Sequence, residues 1–283
     1  MVTALQKQKQ LADMLASAQI EDAAYEAKLL IQAVTGYSAA QFLMGAEFPI
    51  SAENALHTLV QKRLSGIPIQ YLLGEWEFFG MEFTVGEGVL IPRQDTEVLV
   101  ETALSHLAGK TDALLLDLCS GSGCIPLAIG ANTPLKQAYA VEFSETAFAY
   151  LKENAARYPD IPLHLLLADA LSAQTVDAFA DNSLDCITSN PPYLNDAEME
   201  ELQKEVRFEP ESALYAPENG YLFYRLIPKL WKNKLKKGGM LSFEVGHTQA
   251  KTVMRFLAEN GYKNVGTAKD LSGIDRVVYG YIE

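Results

Sequence analysis

The chain has 283 residues, of which 49% are hydrophobic, and its 36 acidic and 23 basic side chains give a formal net charge of −13. The length predicts about two domains, and the acidic balance disfavours nucleic acid as the direct substrate because a broad phosphate-binding surface needs positive charge. The three cysteines form no CxxC pair and the four histidines are scattered, a pattern that indicates neither a metal site nor a disulfide framework.

Residues 1–73 predict a small helical domain, because their apolar side chains recur at helical spacing. Breaks are expected at Gly36, at 45–51 and at 66–68, and Ser51 is predicted to cap a helix start. The pattern leaves open whether this domain is a packing module or a surface that binds a partner. The amino-terminal segment lacks the apolar run of a signal peptide, and no stretch has the length of a membrane span, so we expect a cytoplasmic protein without membrane association.

Residues 74–93 predict a β-hairpin linker, since aromatic and β-branched residues alternate there with Gly80, Gly86 and Gly88. A helix is expected to begin near Asp95 or Thr96. This start places the side chain of Arg93 at the mouth of the domain that follows, 94–283.

From Ala113 onward strands and helices alternate, which is typical of a parallel, doubly wound sheet with helices on both faces. The predicted strands are ALLLDL, QAYAVEF, PLHLLLAD, SLDCITSN, GGMLSFEVG and two later segments near 262–267 and 276–282. The predicted helices cover 124–132, 144–157, 220–235 and 249–260.

The segment DLCSGSG follows the first of these strands and opens a helix, where glycines let the backbone approach a ligand closely. The next strand ends at Glu142, whose carboxylate can bind the hydroxyls of a ribose, and a third ends at Asp169. The loop lacks the third glycine of the dinucleotide fingerprint. The pattern therefore favours a nucleoside ligand that carries a carboxylate, such as S-adenosylmethionine.

The segment NPPY, from Asn190 to Tyr193, ends a fourth strand. Proline has no backbone N–H, so the turn offers carbonyl oxygens beside the Asn190 amide, an arrangement that suits a ligand with an NH2 group. Such a turn also occurs for structural reasons alone. Because neighbouring strands of a doubly wound sheet end at one crevice, we expect NPPY to face the nucleoside.

The sequence resembles the HemK/PrmC family, the protein-(glutamine-N5) methyltransferases that modify the Gly-Gly-Gln loop of class 1 peptide release factors. The resemblance extends through the linker 70–101, DLCSGSG, NPPY and the segments 208–225 and 270–282. It implies a Rossmann-like, seven-stranded class I methyltransferase domain with a small helical domain that binds the substrate. It also implies S-adenosylmethionine as cofactor, S-adenosylhomocysteine as product and release factors as partners. We expect a monomer.

The resemblance assigns catalysis to Asn190, Pro191 and Tyr193. The Asn190 side-chain oxygen and the Pro191 carbonyl would accept the two N–H groups of the substrate amide, and Tyr193 would pack on the amide plane. Substrate contacts further include Pro192 and Arg93. The interpretation of Arg93 stays open between the cofactor carboxylate, the substrate loop and a domain-bridging ion pair.

The resemblance also assigns the cofactor contacts, with Glu142 at the ribose and Asp169 and Ala170 at the adenine. The full set is Cys119, Ser120, Gly121, Ser122, Gly123, Glu142, Asp169, Ala170 and Asn190. Three positions depart from the common family pattern: Cys119 replaces a glycine, Glu142 an aspartate and Ala170 a bulkier residue. These changes bear on how tightly the cofactor binds and not on the reaction class.

Two other functions remain open from the sequence. NPPY is shared with methyltransferases that act on amino groups of adenine or cytosine in nucleic acid, in which Tyr193 would stack on a flipped base. The acidic balance argues against this function. A non-catalytic nucleoside-binding protein is the other alternative, against which the presence of both Asn190 and Tyr193 argues.

Overall fold

The computed structural model describes residues 2–283 and divides them into two compact units. The first contains the residues up to Gly74 together with Lys204–Phe208, and the second contains Glu75–Gln203 and Glu209–Glu283. From the sequence, residues 204–208 were expected in the second domain. They group with the first unit, where the Lys204 ammonium donates to the Leu64 carbonyl and Glu205 pairs with Arg63.

Amphipathic helices form the first unit and bury their apolar faces in one core around Leu15, Leu30, Ile31 and Phe42. The helices are α1 (Ala4–Ser17), α2 (Ala23–Thr35), α3 (Ala39–Leu43), α4 (Glu53–Leu64) and α5 (Ile69–Leu73). The prediction that Ser51 caps α4 was wrong. Ser51 lies inside a 3-10 turn, Ile50–Ala52, and no side chain caps α4, because the turn leads directly into the helix.

A buried ion network crosses the first unit. The Arg63 side chain is 2% exposed and hydrogen-bonds both carboxylate oxygens of Glu26 and one of Glu205. Because the guanidinium offers a planar fork of donors, it satisfies two acids that are distant in sequence. The network ties α2, α4 and the 204–208 segment together.

The second unit begins with the predicted hairpin, β1 (Glu75–Phe78) and β2 (Met81–Thr84), which pair antiparallel. The other strands form one sheet: β3 (Ala113–Leu118), β4 (Leu135–Glu142), β5 (Leu163–Leu167), β6 (Leu184–Ser189), β7 (Leu235–Glu244), β8 (Lys263–Lys269) and β9 (Asp275–Tyr281). The order in this seven-stranded sheet is β5-β4-β3-β6-β7-β9-β8.

Helices precede, connect and flank these strands. They are α6 (Glu97–Leu107), α7 (Cys124–Asn132), α8 (Glu145–Arg157), α9 (Ala173–Asp177), α10 (Asp196–Glu200), α11 (Glu211–Leu214), α12 (Pro217–Gly220), α13 (Leu222–Trp231) and α14 (Ala250–Glu259). The predicted helix 220–235 was too long, since Leu235 already begins β7. None of the helices described between residues 2 and 283 is long and apolar enough to cross a bilayer.

The strands at the centre of the sheet are buried on both faces. Leu115 and Cys186 belong to the core on one face, whereas their neighbours Leu116 and Ile187 belong to the core on the other. Successive side chains of a strand point to opposite faces, so these continuous apolar runs supply both cores. The prediction of a doubly wound α/β sheet is confirmed.

The expectation that the sheet is parallel throughout was wrong for its last strand. β9 lies between β7 and β8 and runs antiparallel to both. Only residues 270–274 separate β8 from β9, and a connection this short makes a hairpin, because a parallel pair needs a crossover of a dozen or more residues.

Candidate active site

A cavity of about 260 Å³ opens at the carboxyl ends of β3, β4, β5 and β6. Parallel strands bring their carboxyl ends to one edge of the sheet, so segments distant in sequence meet here. Most of the predicted site residues line it: Arg93, Cys119, Ser120, Gly121, Ser122, Glu142, Asp169, Ala170, Asn190 and Pro192. The lining does not include Gly123, Pro191 or Tyr193.

The loop after β3 lies along this cavity in a left-handed backbone conformation. Cys119 has a φ of 62° and Gly121 a φ of 54°. A Cβ on Gly121 would meet no atom within 4 Å, so this glycine leaves open space for a ligand. A Cβ on Gly123 would lie 2.5 Å from the Leu151 Cδ1, so packing against α8 explains the glycine there.

Glu142 ends β4 and is 8% exposed. Its Oε2 accepts from the Gly121 N–H at 2.8 Å and its Oε1 accepts from the Ser144 N–H at 2.7 Å. Burial raises the pKa of this carboxyl, and the backbone N–H groups oppose the shift. Each oxygen keeps a second lone pair, so the carboxylate can still accept from a pair of ligand hydroxyls.

Asp117 lies beneath the loop and is fully buried. Its Oδ1 accepts from the Thr188 hydroxyl at 2.6 Å, whereas its Oδ2 has no hydrogen-bond partner among residues 2–283. Burial raises the pKa of Asp117 to about 7. The carboxyls that line the cavity are those of Glu142 and Asp169, and they suit a ligand that carries hydroxyl groups and positive charge.

The NPPY turn follows β6 directly, and its backbone is fixed by other loops. The Tyr193 N–H donates to the Leu214 carbonyl at 3.1 Å, and the Gln249 amide donates to the Tyr193 carbonyl at 3.0 Å. A Cβ on Gly220 would lie 2.1 Å from the same carbonyl oxygen, so only glycine fits there. The turn is therefore held rigidly at the edge of the cavity.

The side chains of the turn differ in where they lie. Asn190 lines the cavity and its Nδ2 lies 3.5 Å from the Thr96 hydroxyl oxygen, a long hydrogen bond. The Tyr193 ring packs against the backbone at Gly246, where a Cβ would lie 3.3 Å from the ring Cδ2. Burial raises the pKa of the Tyr193 hydroxyl.

Arg93 forms an ion pair with the buried carboxylate of Glu209. The other Glu209 oxygen accepts from the Ile91 N–H at 3.0 Å. Arg93 and Glu209 both belong to the second unit, so this pair connects two segments of one unit and is not a bridge to the first. The Arg93 side chain still lines the cavity.

Sequence reasoning missed the apolar wall of the cavity, which includes Leu90, Phe143 and Phe223. Phe143 directly follows Glu142 and is 70% exposed, so its place at a strand end was a usable signal. Glu244 was also missed, although it ends β7. Among residues 2–283, no cluster of three or more histidine, cysteine or acidic side chains could hold a metal ion.

Comparison with known proteins gives matches along most of the chain. Residues 6–74 match the PrmC N-terminal domain and residues 94–223 the methyltransferase small domain. The release factor glutamine methyltransferase of Thermodesulfovibrio yellowstonii is 39% identical over 234 residues, 81% of this chain and 82% of the relative. That of Geobacter sulfurreducens is 38% identical over 271 residues, 95% of this chain and 93% of the relative.

Among solved structures, the chain is similar to the release factor-specific protein-(glutamine-N5) methyltransferase from Alicyclobacillus acidocaldarius. The identity is 31% and the TM-score 0.45, over 71% of this chain and 99% of that one. The level and extent of identity to the curated relatives establish the family that the sequence resemblance had indicated. The chain belongs to the release factor glutamine methyltransferase family.

Proposed function

We propose that the protein transfers a methyl group from S-adenosylmethionine to the side-chain nitrogen of the glutamine in the Gly-Gly-Gln motif of class 1 release factors. The reaction takes place in the cytoplasm, supports translation termination and is carried out by a monomer. The observation that carries the proposal is the Asn190 amide, which lines the same cavity as the glycine loop and Glu142. Family membership supports the choice of acceptor.

The residues around the cavity fit this cofactor. The open space at Gly121 would admit the methionine portion, Glu142 would bind the ribose, and Asp169 with Ala170 would bind the adenine. Asp117 has an unpartnered oxygen under the loop, which suits a ligand with a positive charge. When bound, S-adenosylmethionine supplies an electrophilic methyl group on a sulfonium.

The chain's own groups would orient the acceptor nitrogen. A glutamine amide nitrogen is a poor nucleophile because its lone pair is delocalised into the carbonyl. The Asn190 Oδ1 and the Pro191 carbonyl would accept its two N–H groups, direct the nitrogen at the methyl group and favour the positive charge that develops on it. No strong base is needed, since the nitrogen becomes acidic only after attack.

The remaining site residues would complete the substrate contacts. Pro192 and Tyr193 stiffen the turn that carries these acceptors, and the Arg93 guanidinium would contact the release factor loop or the cofactor carboxylate. The helical first unit would add binding surface remote from the reacting amide. Such remote contacts suit an enzyme that modifies one side chain of a large protein.

The test is methyl transfer from labelled S-adenosylmethionine to a purified class 1 release factor. A Gln→Ala change in the Gly-Gly-Gln loop, bulk DNA and bulk RNA serve as parallel acceptors. We expect label on the unmodified release factor only. Label on nucleic acid alone, or no label on any acceptor, would contradict the proposal.

The variant Asn190→Ala should lower kcat by about 100- to 1,000-fold, as expected when one group of a preorganised polar site is lost. Asn132→Ala is the matched control, because that amide only donates to the Ala128 carbonyl near the end of α7. We expect the control to retain the activity of the unmodified enzyme.

A further inference from the structure

Three side chains from distant parts of the sequence form a chain of contacts that leads away from the cavity. Asn190 follows β6, Glu244 ends the neighbouring strand β7, and Thr96 immediately precedes α6. Since β6 and β7 pair up to Ser189 and Phe243, the two strand ends lie side by side. Thr96 is placed between their side chains.

The contacts are polar and shielded from solvent. The Asn190 Nδ2 lies 3.5 Å from the Thr96 Oγ1. The Thr96 hydroxyl in turn lies close enough to the Glu244 carboxyl to lower its pKa as a hydrogen-bond donor. Thr96 is 2% exposed and Glu244 3%. The Glu244 Oε2 has no partner among residues 2–283. A buried carboxyl with one oxygen that lacks a hydrogen bond lowers the stability of the fold. Its presence at this position therefore indicates a functional role.

Hydrogen-bond direction explains what the chain of contacts does. An ionised carboxylate only accepts, so the single hydrogen of the Thr96 hydroxyl is donated to Glu244. The hydroxyl can then offer Asn190 only a lone pair, and it selects the amide orientation with Nδ2 toward Thr96. Because the amide is planar, its Oδ1 is directed away from Thr96. The opposite orientation would present a donor to the substrate NH2 group, which needs an acceptor.

We propose that Thr96 and Glu244 are positioning residues that fix the Asn190 amide with its oxygen available to the reacting nitrogen. The inference rests on the proposed function, because it concerns how Asn190 meets the glutamine amide. Glu244 does not line the cavity, and Thr96, which does, would act on the reacting nitrogen through Asn190.

Protonation of Glu244 should weaken this selection. A protonated carboxyl can donate to Thr96, which releases the threonine hydrogen toward Asn190 and stabilises the wrong amide orientation. Burial raises the pKa of Glu244 to about 7, so the change falls in an accessible pH range. Neighbouring groups also shift the pKa of Glu244. The Thr96 hydroxyl, Arg276 and Arg93 lower it, whereas Asp95 raises it. The other titratable groups that interact with Glu244 are Tyr193, Tyr224 and Cys124.

The first experiment compares Thr96→Val, which keeps the shape and removes the hydroxyl, with Thr96→Ser, which keeps the hydroxyl. Thr102→Val is the matched control, since its hydroxyl donates only to the Val98 carbonyl on the same helix. Steady-state kinetics with the release factor and titration calorimetry with S-adenosylmethionine are measured for each. We expect Thr96→Val to lower kcat by about 10- to 100-fold, the scale of a small misplacement of a reacting group.

The expected pattern also includes KM and cofactor Kd within about twofold of the unmodified enzyme, and kcat restored to within about threefold in Thr96→Ser. A kcat for Thr96→Val equal to that of Thr102→Val would overturn the inference. So would a proportional loss of cofactor binding, which would indicate a disturbed pocket. If the unmodified enzyme transfers no methyl group to the release factor, the proposed function itself fails.

The second experiment is the pH profile of kcat for the unmodified enzyme and Glu244→Gln at saturating cofactor. This experiment tests the positioning role of Glu244 even if Thr96→Val does not fold. Asp117 also has a pKa raised to about 7, so only the part of the pH dependence that disappears in Glu244→Gln belongs to Glu244. We expect the fall in kcat between about pH 8 and pH 6 to become smaller in this variant. An unchanged profile would contradict the inference.

Discussion

Buried charge is arranged in opposite ways in the core of the first unit and at the strand ends beside the cavity of the second. In the first unit, the buried Arg63 pairs with the buried Glu26 and with the partly exposed Glu205. In the second unit, the carboxyls of Asp117, Glu142 and Glu244 are buried at strand ends, and none forms an ion pair among residues 2–283. Hydroxyls and backbone N–H groups hold them instead.

The difference separates a structural use of charge from a functional one. Burial lowers the pKa of Arg63, but its hydrogen bonds to the two glutamates outweigh this effect and raise it overall. Burial raises the pKa of Asp117 and Glu244, and nothing comparable offsets it. Paired charges contribute to the fold. A buried carboxyl without a charged partner still has acceptor oxygens to which a ligand or substrate can bind.

The largest effect should follow from breaking the paired network. Arg63→Met would leave two acids without their cation, and removal of one partner of a buried pair typically costs about 3–5 kcal/mol. We expect the free energy of unfolding of the first unit, followed by chemical denaturation, to fall by this amount.

Lys7→Met is the matched control in the same unit, because its pair with Glu53 is partly exposed and such pairs contribute about 0–1 kcal/mol. Equal destabilisation by the two changes would show that the buried network contributes no more to the free energy of unfolding than the partly exposed pair.

An intermediate effect is expected at Glu142. Glu142→Gln keeps the size of the side chain but removes one acceptor and the charge, so the Kd for S-adenosylmethionine should rise by about 10- to 100-fold, corresponding to about 1.4–2.7 kcal/mol. Titration calorimetry measures this change. Glu145→Gln, at an exposed position in the first turn of α8, should leave the Kd unchanged. An unaltered Kd in Glu142→Gln would assign the carboxylate to loop structure alone.

The smallest effect concerns the pH dependence of stability. At about pH 5.5 the Asp117 carboxyl is protonated in the folded state and ionised in the unfolded state. Its stabilising contribution is complete below the unfolded pKa and is lost as pH rises through about 7. The free energy of unfolding should therefore decrease by up to about 1.4 kcal/mol per pH unit for this group, and Asp117→Asn should remove that slope.

Asp112→Asn, an exposed position just before β3, is the control for this measurement. Denaturant titrations between about pH 5.5 and pH 7.5 supply the slopes. If Asp117→Asn and Asp112→Asn give the same slope as the unmodified protein, Asp117 is ionised throughout this pH range. Asp117 would then not be an example of a carboxyl whose pKa is raised by burial.

Sequence patterns predicted the features that depend on local order. The glycine loop, Glu142, Asp169 and Asn190 each lie at or just after the end of a strand, and parallel topology alone brings strand ends together. The sequence did not predict which side chains contact the site residues. Thr96 meets Asn190 across 94 positions, and Glu209 meets Arg93 across 116, through contacts that no periodicity encodes. The place of 204–208 in the first unit depends likewise on the long-range Arg63–Glu205 pair.

The place of β9 between β7 and β8 has a consequence for folding during synthesis. Both neighbours leave the ribosome before β9, yet neither has its full set of backbone partners until β9 arrives. Until then β7, which carries Glu244, is an open edge able to pair with another chain. Pairing of residues 275–281 with both neighbours therefore covers this edge and completes the backbone partners of the strand that carries Glu244.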